Sequence, residues 1–185
     1  MITALFLTVL ASPAHFEAPV QLLVPMQDGT EEAADEKQPK RAEIWPEVRK
    51  DQKKDLKTEI LRLRKAGTEG MAIGGRDALI KLGAVAAPDL IKALGKERDE
   101  DARKRIVEVL DSITGWEHTR LLAERFGDRS EHVRLFTLRR AAAFPDEGIR
   151  QAAAAALAAA EKRIDTKNEI KHEAYYAALA VVSSG

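Results

Sequence analysis

Four kinds of reactive side chain stand close together in the segment GDRSEHVR, residues 127–134. An acid, a hydroxyl, an imidazole and a guanidinium at such short spacing are groups that can form a nucleophile with its base, or ligate a metal ion. A cluster that occurs once would favour an active site, whereas a cluster that recurs along the chain would favour a structural element.

The spacing of Asp128 and Arg134 in this cluster occurs again in other parts of the chain. In each copy an acidic residue is followed six positions later by a cation, which stands directly after an apolar residue. The three pairs are Glu97 with Arg103, Asp128 with Arg134, and Asp165 with Lys171. Mostly apolar residues follow each cation at three, four, seven and ten positions, which is the spacing of one helix face. The cluster is therefore predicted to be a joint of a repeated helical scaffold.

The repeated unit is predicted to be a pair of helices. Its first helix leads into a short turn that carries the acid, and its second helix begins with the cation. Four such units are predicted, at residues 47–83, 84–115, 116–144 and 145–182. A single pair cannot bury its apolar stripe, so we expect neighbouring pairs to stack. No sustained strand alternation is present from Trp45 onward, which predicts an all-α fold.

The segment APDLIKALGKERDEDARKRIVEVLDSI, residues 87–113, resembles a HEAT repeat of the short bacterial kind related to the repeats of phycobilin lyases. The resemblance implies a right-handed α-α superhelix, an armadillo-like α-solenoid of about four helix pairs, over residues 45–185. It also implies a structural ladder in which the turn acids pair with the cations. These pairs would join Glu97 to Arg103, Asp128 to Arg134, and Asp165 to Lys171.

Other side chains in the sequence offer little catalytic chemistry. The four histidines are His15, His118, His132 and His172, and their spacing matches no known metal-ligand pattern. The glycine-rich segment GTEGMAIGGR, residues 67–76, lacks the lysine of a phosphate-binding P-loop and is predicted to be a flexible loop between helices. Cysteine is absent, so thiol chemistry is excluded. We predict no catalytic residue, no cofactor and no metal site.

The charge of the chain is balanced, with 30 basic and 30 acidic side chains. This balance gives no general attraction to phosphate backbones, so nucleic acid is not expected as a partner. Residues 37–65 are the exception, because they hold eleven basic and five acidic residues. This segment can contact an acidic partner, a nucleic acid or an anionic surface, although interleaved acids are more typical of a solvated helix face.

The first fourteen residues, MITALFLTVLASPA, are predicted to be a signal peptide, which places the mature protein in the periplasm or outside a bacterial cell. The apolar run is too short to span a bilayer as a helix, so no membrane span is expected after cleavage. A buried N-terminal strand or helix is the alternative. Residues 15–44 carry three prolines and an acidic run, which predicts a disordered or extended linker.

These features together predict a non-catalytic scaffold that binds another protein, still unidentified, along its second helices. The partner-binding positions expected on that face are Lys104, Arg105, Glu108, Arg139, Arg140 and Glu173. The terminal repeat has no polar capping helix after it, so self-association is a further expectation. The alternatives from the same resemblance are a HEAT-like protein related to chromophore lyases and a DNA-binding protein of the glycosylase kind.

Overall fold

The helical architecture is seen in a computed structural model that describes residues 40–65, 69–164 and 171–185, all within one compact unit, Lys37–Gly185. These residues form eight α-helices and three short 3-10 helices, and no strand occurs among them. The α-helices are α1 (Gln52–Arg64), α2 (Glu69–Leu82), α3 (Ala87–Leu94), α4 (Glu100–Ile113), α5 (Thr119–Ala123), α6 (Glu131–Ala143), α7 (Arg150–Ile164) and α8 (Lys171–Ser183). The predicted all-α fold is confirmed.

The helices are arranged in consecutive pairs. Helices α1 and α2 pack together, as do α3 with α4, α5 with α6, and α7 with α8. Each pair also contacts the next one, through α1 and α2 with α4, α3 with α6, and α6 with α8. The second helix of a pair is therefore a main contact to the neighbouring pair.

Local signals fix where these helices begin and end. The Asp99 side chain caps α4 by accepting a hydrogen bond from the Ala102 backbone N–H at 2.7 Å. Glu100 and Asp101 place negative charge in the first turn, where the helix dipole favours it. Gly83 follows α2 with a φ of +69°, a left-handed conformation that glycine adopts without strain. The chain can therefore turn sharply between the first and second pairs.

The predicted flexible loop at residues 67–76 is wrong from Glu69 onward, because these residues form the first turns of α2. Gly75 explains why glycines are tolerated there. A Cβ atom at Gly75 would lie 3.0 Å from the Leu63 backbone nitrogen and 3.1 Å from the Glu59 carbonyl oxygen of α1. The missing side chain lets α1 and α2 approach each other closely, so packing outweighs the low helix propensity of glycine.

Two hydrophobic clusters fill the interior. The leucine core is built mainly from α1 to α4, and its largest members include Leu56, Leu63, Leu79, Leu90, Leu94, Ile106 and Leu110. The alanine core lies among α6, α7 and α8 and comprises Phe126, Leu138, Ala141, Ile149, Ala153, Ala156, Ala177 and Ala180. Helix α6 contributes to both clusters, so it connects the two halves of the interior.

Residues 40–48, which we call the strap, run from the start of the described chain to α1. The Ala42 N–H donates to the Glu117 carbonyl at 2.9 Å, and the Arg41 guanidinium lies 3.6 Å from the centre of the Trp116 ring. Trp45 stacks on His118 with 5.2 Å between ring centres. Residues 40–44, predicted to belong to the linker, are therefore docked on the third helix pair.

No α-helix among the described residues is both long enough and apolar enough to cross a membrane. The predicted signal peptide and residues 15–39 of the predicted linker lie outside the described part of the chain.

Candidate functional site

The repeated cations reach the turns that precede them, but their hydrogen-bond acceptors differ from those expected. Arg134 Nη1 donates to the main-chain carbonyls of Asp128 and Arg129, at 2.8 and 3.1 Å. Arg103 Nη1 donates in the same way to the carbonyl of Arg98 at 2.8 Å. The predicted ladder of carboxylate pairs is thus corrected to bonds between a guanidinium and turn carbonyls.

The acids of these turns have other partners. Asp128 accepts a hydrogen bond from the Ser130 N–H at 2.9 Å, and Glu97 accepts one from the Arg98 N–H at 2.9 Å. Glu97 also forms an ion pair with Arg64 of α1, which ties the first helix pair to the second. Burial alone would raise the pKa of Glu97, but the hydrogen bonds from Arg64 and the backbone outweigh it and hold the pKa below 4.5.

Side-chain direction explains the altered pairing. Helical side chains point toward the N-terminus of their helix, so a cation in the first turn reaches back over the preceding loop. Turn carbonyls there need donors, and the turn carboxylate is already used by backbone amides nearer to it. The third predicted pair cannot be compared in this way, because Asp165 and the side chain of Lys171 lie outside the described residues.

Four of the six residues predicted to bind a partner instead make contacts within the protein, whereas Lys104 and Glu108 are exposed as expected. Arg105 donates to the carbonyls of Leu63 and Arg64 at the end of α1, at 2.8 and 3.2 Å. The prediction that Arg105 faces a partner is therefore corrected, because it caps carbonyl groups of a neighbouring helix.

Arg139 and Arg140 of α6 both contact Asp111 of α4. An Arg139 amino group lies 2.6 Å from the Asp111 carboxylate, and Arg140 Nη1 lies 3.5 Å from it. Arg140 also donates to the Thr114 carbonyl and lies 4.5 Å from the centre of the Phe144 ring. These two arginines join the second helix pair to the third. They are therefore structural residues and not the free partner-binding positions that were expected.

Glu173 departs furthest from the sequence prediction, because it is buried with 1% of its surface exposed. Its carboxylate accepts hydrogen bonds from Arg134 at 2.7 Å and from Arg163 at 2.7 Å. The side chain therefore joins α6, the end of α7 and α8. Burial of a charged carboxylate is unfavourable unless the charge is paired, and here two guanidinium groups neutralise it and donate hydrogen bonds to it.

Asp146 is a structural residue that sequence reasoning missed. It is buried, accepts a hydrogen bond from Arg120 at 3.0 Å, and pairs with Arg41 of the strap. Its other oxygen accepts from the Gly148 N–H at 2.7 Å. Burial alone would raise the pKa of Asp146, but the bonds from Arg120 and Gly148 and the charge of Arg41 lower it. The signal that could have found it is the aspartate itself, a preferred N-cap residue directly after Pro145, which here caps the 3-10 helix Glu147–Ile149.

Every junction between consecutive helix pairs is thus crossed by a carboxylate and a guanidinium. These pairs are Arg64 with Glu97, Asp111 with Arg139, and Arg134 with Glu173. The first joins α1 to the turn before α4, and the other two join the second helices α4, α6 and α8 to one another.

A groove of about 400 Å³ lies between α4, α6 and α8, and we call it the second-helix groove. Its apolar lining consists of Leu94, Val107, Leu135, Phe136 and Tyr176. Its polar lining consists of Glu100, Arg103, Lys104, His132, Arg139 and His172. The groove therefore combines an apolar floor with a charged and imidazole-bearing rim, and it spans three consecutive helix pairs.

The charged groups of the rim differ in how firmly they are held. Lys104 Nζ lies 3.0 Å from a Glu100 carboxylate oxygen, and both side chains are more than 60% exposed. Such an exposed pair contributes little to stability, so either group can exchange its partner for one on another molecule. Arg139 remains tied to Asp111. Among the described residues no group of three or more His, Asp or Glu side chains is placed to hold a metal ion.

Helix α8 also exposes an apolar stripe, formed by Tyr175, Leu179 and Val182, on the side opposite its buried alanines. The self-association predicted for this last helix pair stays a prediction.

Comparisons of the chain with protein-family models, with curated proteins and with solved structures find no match. The resemblance to HEAT repeats therefore stays a prediction from the residues that carry it, and a function has to be argued from the geometry and chemistry of the groove.

Proposed function

We propose that this protein is a non-catalytic scaffold that binds another protein in the second-helix groove, and that its four helix pairs form a HEAT-like α-solenoid. The observation that carries the proposal is the groove itself, which spans α4, α6 and α8 and has an apolar floor. Grooves between helices commonly receive apolar side chains of a partner helix or strand. A scaffold of stacked helix pairs offers such an extended surface.

The floor of the groove has the burial expected of a recognition surface. Phe136 is buried beneath it and packs into the leucine core. Val107, Leu135 and Tyr176 lie above with part of their surface exposed. Apolar side chains of a partner can cover these three groups and remove them from water, which is the main source of favourable free energy in protein association.

The ion pairs between helix pairs favour a groove that exists before the partner arrives. Asp111 with Arg139 fixes α4 against α6, and Arg134 with Glu173 fixes α6 against α8. A rigid site loses little conformational entropy on binding, so more of the contact energy appears as affinity.

We also propose that the protein is exported to the periplasm or the cell exterior. The support is the apolar run of residues 2–10 followed by small residues at Ser12 and Ala14. N-terminal sequencing of the protein recovered from cells tests this, since export with cleavage gives a first residue near position 15. An uncleaved first residue on protein from the cytoplasm would remove this part of the proposal.

The groove is tested by site-specific photo-crosslinking in the source cells. A photoreactive amino acid replaces Leu135 in the groove floor, and a control protein carries it at Ile73, an exposed isoleucine of α2 outside the groove. We expect one defined crosslinked protein from position 135 that is absent from position 73. The Leu135→Asp variant should lose the same partner while its circular dichroism stays helical.

Other outcomes assign the groove differently. Equal crosslinking patterns at both positions would contradict a specific groove. Saturable binding of a tetrapyrrole or of duplex DNA by the purified protein, lost in Leu135→Asp, would replace the scaffold by the lyase-related or the DNA-binding alternative.

A further inference from the structure

One exposed face of α1 and the turn before it is almost entirely lysine. Lys50, Lys54, Lys57, Leu61 and Lys65 follow one another at intervals of four, three, four and four residues, which places them on one side of the helix. All five are exposed, and Lys53 is exposed beside them. We call this face, with Lys53 included, the lysine stripe.

Among the described residues, no ion pair neutralises a lysine of the stripe. The ion pairs found near it join Arg49 to Asp51, Arg62 to Glu59, and Arg64 to Glu97. The exposed Asp51 and Asp55 lie on the flank of the helix and offset only part of the charge. The interleaved acids were expected to give an ordinary solvated helix face. Instead this face of α1 carries more positive than negative charge.

This excess is confined to one end of the chain. All 30 basic residues follow residue 36, and eleven of them fall in residues 37–65. Six of the 30 acidic residues precede residue 37 and five lie in residues 37–65. The chain after residue 65 therefore has equal numbers of both signs, and the whole positive excess belongs to α1 and the segment before it.

An apolar side chain accompanies the cations. Leu61 lies in the middle of the stripe with 50% of its surface exposed. An exposed leucine between lysines has no role in the leucine core. Apolar groups among cations are typical of proteins that adsorb to the interface of a bilayer, where the apolar groups enter the acyl boundary.

We propose that the lysine stripe docks this protein on an anionic lipid bilayer. The stripe lies on the outer surface of a helix, and its residues do not line the second-helix groove, so it suits a flat surface with many negative groups. Lysine is a hydrated point charge that attracts phosphate without the paired hydrogen bonds of arginine, which suits mobile headgroups better than a fixed nucleic acid groove. Leu61 adds an apolar side chain that can enter the acyl boundary of a bilayer, whereas a ligand that offers only phosphate groups gives it no apolar contact.

Sedimentation with lipid vesicles tests this docking on the full chain. Vesicles of phosphatidylcholine mixed with phosphatidylglycerol provide the anionic surface, and vesicles of phosphatidylcholine alone provide the uncharged control. We expect the chain to bind the anionic vesicles more strongly and to be released by added salt. Each lysine near the surface changes binding about fivefold, so replacing Lys53, Lys54 and Lys57 by Gln should weaken it about a hundredfold.

A matched variant separates the stripe from net charge. Replacing Lys81 of α2, Lys92 of α3 and Lys96 of the turn after α3 by Gln removes three exposed lysines from other parts of the molecule and should change binding much less. Leu61→Ser should weaken binding to anionic vesicles, whereas Leu179→Ser, at an exposed leucine of α8, should not.

Several results would overturn the docking. They are equal binding to charged and uncharged vesicles, equal losses in the two triple variants, and an unchanged affinity in Leu61→Ser. Salt-sensitive binding of duplex DNA that is lost in the triple variant of the stripe, without binding to vesicles, would assign the stripe to nucleic acid instead. None of these results depends on whether the second-helix groove binds a protein.

Discussion

The leucine core and the alanine core hold helices together by different means. In the leucine core, long side chains from α1 to α4 interdigitate, and several of them are fully buried. In the alanine core, the residues that face the interior of α7 and α8 are alanines, which have little surface to bury. The comparison shows that the same pairing of helices can be stabilised with large or with small side chains.

The small side chains of the alanine core make room for a buried ion-pair triad. Alanine lets α8 approach both α6 and α7 closely, and at that distance Arg134 and Arg163 reach the Glu173 carboxylate. Among the described residues the leucine core has no such buried triad, and its own junction pair, Arg64 with Glu97, lies at its edge. We therefore expect the alanine core to depend more on polar contacts and the leucine core more on volume.

The largest expected effect is the loss of the buried carboxylate. Glu173→Ala leaves Arg134 buried without its partner and should lower the free energy of unfolding by about 4 kcal/mol. Glu97→Ala removes one partly buried ion pair and two hydrogen bonds within the turn, so it should cost less, about 2 kcal/mol. Urea denaturation followed by circular dichroism measures both. Similar losses of unfolding free energy in the two variants would contradict the proposed difference between the two cores.

Truncation of a large side chain gives the next effect. Leu110→Ala removes a fully buried leucine from the leucine core and should cost about 3 kcal/mol, through lost burial and the cavity left behind. Leu157→Ala, at a half-buried leucine beside the alanine core, should cost about half as much. If urea denaturation gives the opposite order, volume does not distinguish the two regions.

Overpacking tests the alanine core directly. Ala177→Leu inserts a large side chain where α8 meets its neighbours and should cost about 2 kcal/mol, because the helices must move apart. Ala155→Leu changes an exposed position of α7 and should leave the melting temperature nearly unchanged. A tolerated leucine at position 177 would mean that the close approach of α8 is not required.

The smallest effect concerns the contact between the strap and His118. Burial lowers the pKa of His118 below 6.5, and the charge of Glu117 only partly opposes this. The unfolded chain therefore takes up a proton near pH 6.5 that the folded state resists, so stability falls as the pH drops below that value. We expect less than about 1 kcal/mol of loss between about pH 7.5 and about pH 5.5.

His118→Asn serves as the control for this titration. Asparagine keeps an oxygen that can accept the hydrogen bond now made by the Gly115 N–H to the imidazole, but it does not titrate. Thermal melts at both pH values should show a smaller pH effect in this variant than in the unaltered chain. An identical pH effect would remove His118 as its cause.

The sequence predicted the all-α class and the helix pairs, because apolar spacing and turn residues are local signals. The segment from residue 87 to residue 113 shows why. Its leucines recur at helical spacing, and α4 follows the predicted acidic turn, although its capping residue is Asp99 and not the expected Glu97. Such signals act within a few residues, so they survive whatever surrounds them.

The groove and the buried charges could not be predicted from local sequence signals. Glu173 stands in the first turn of α8 like any exposed helix acid, and only the distance between α6 and α8 buries it. Arg105 and Arg140 look like surface cations until their acceptors on α1 and α4 are known. These contacts depend on how far apart the helices lie, which the sizes of many side chains decide together.

The strap has a consequence for how the molecule comes apart. A row of helix pairs with contacts only between neighbours can lose its first pair and keep the rest folded. Here the hydrogen bond from Ala42 to Glu117 links positions about seventy-five residues apart, so the first pair cannot detach completely without also breaking the contacts of the strap with the third pair. Hydrogen exchange should therefore find α1 protected to the same depth as the middle of the chain, instead of fraying like a free end.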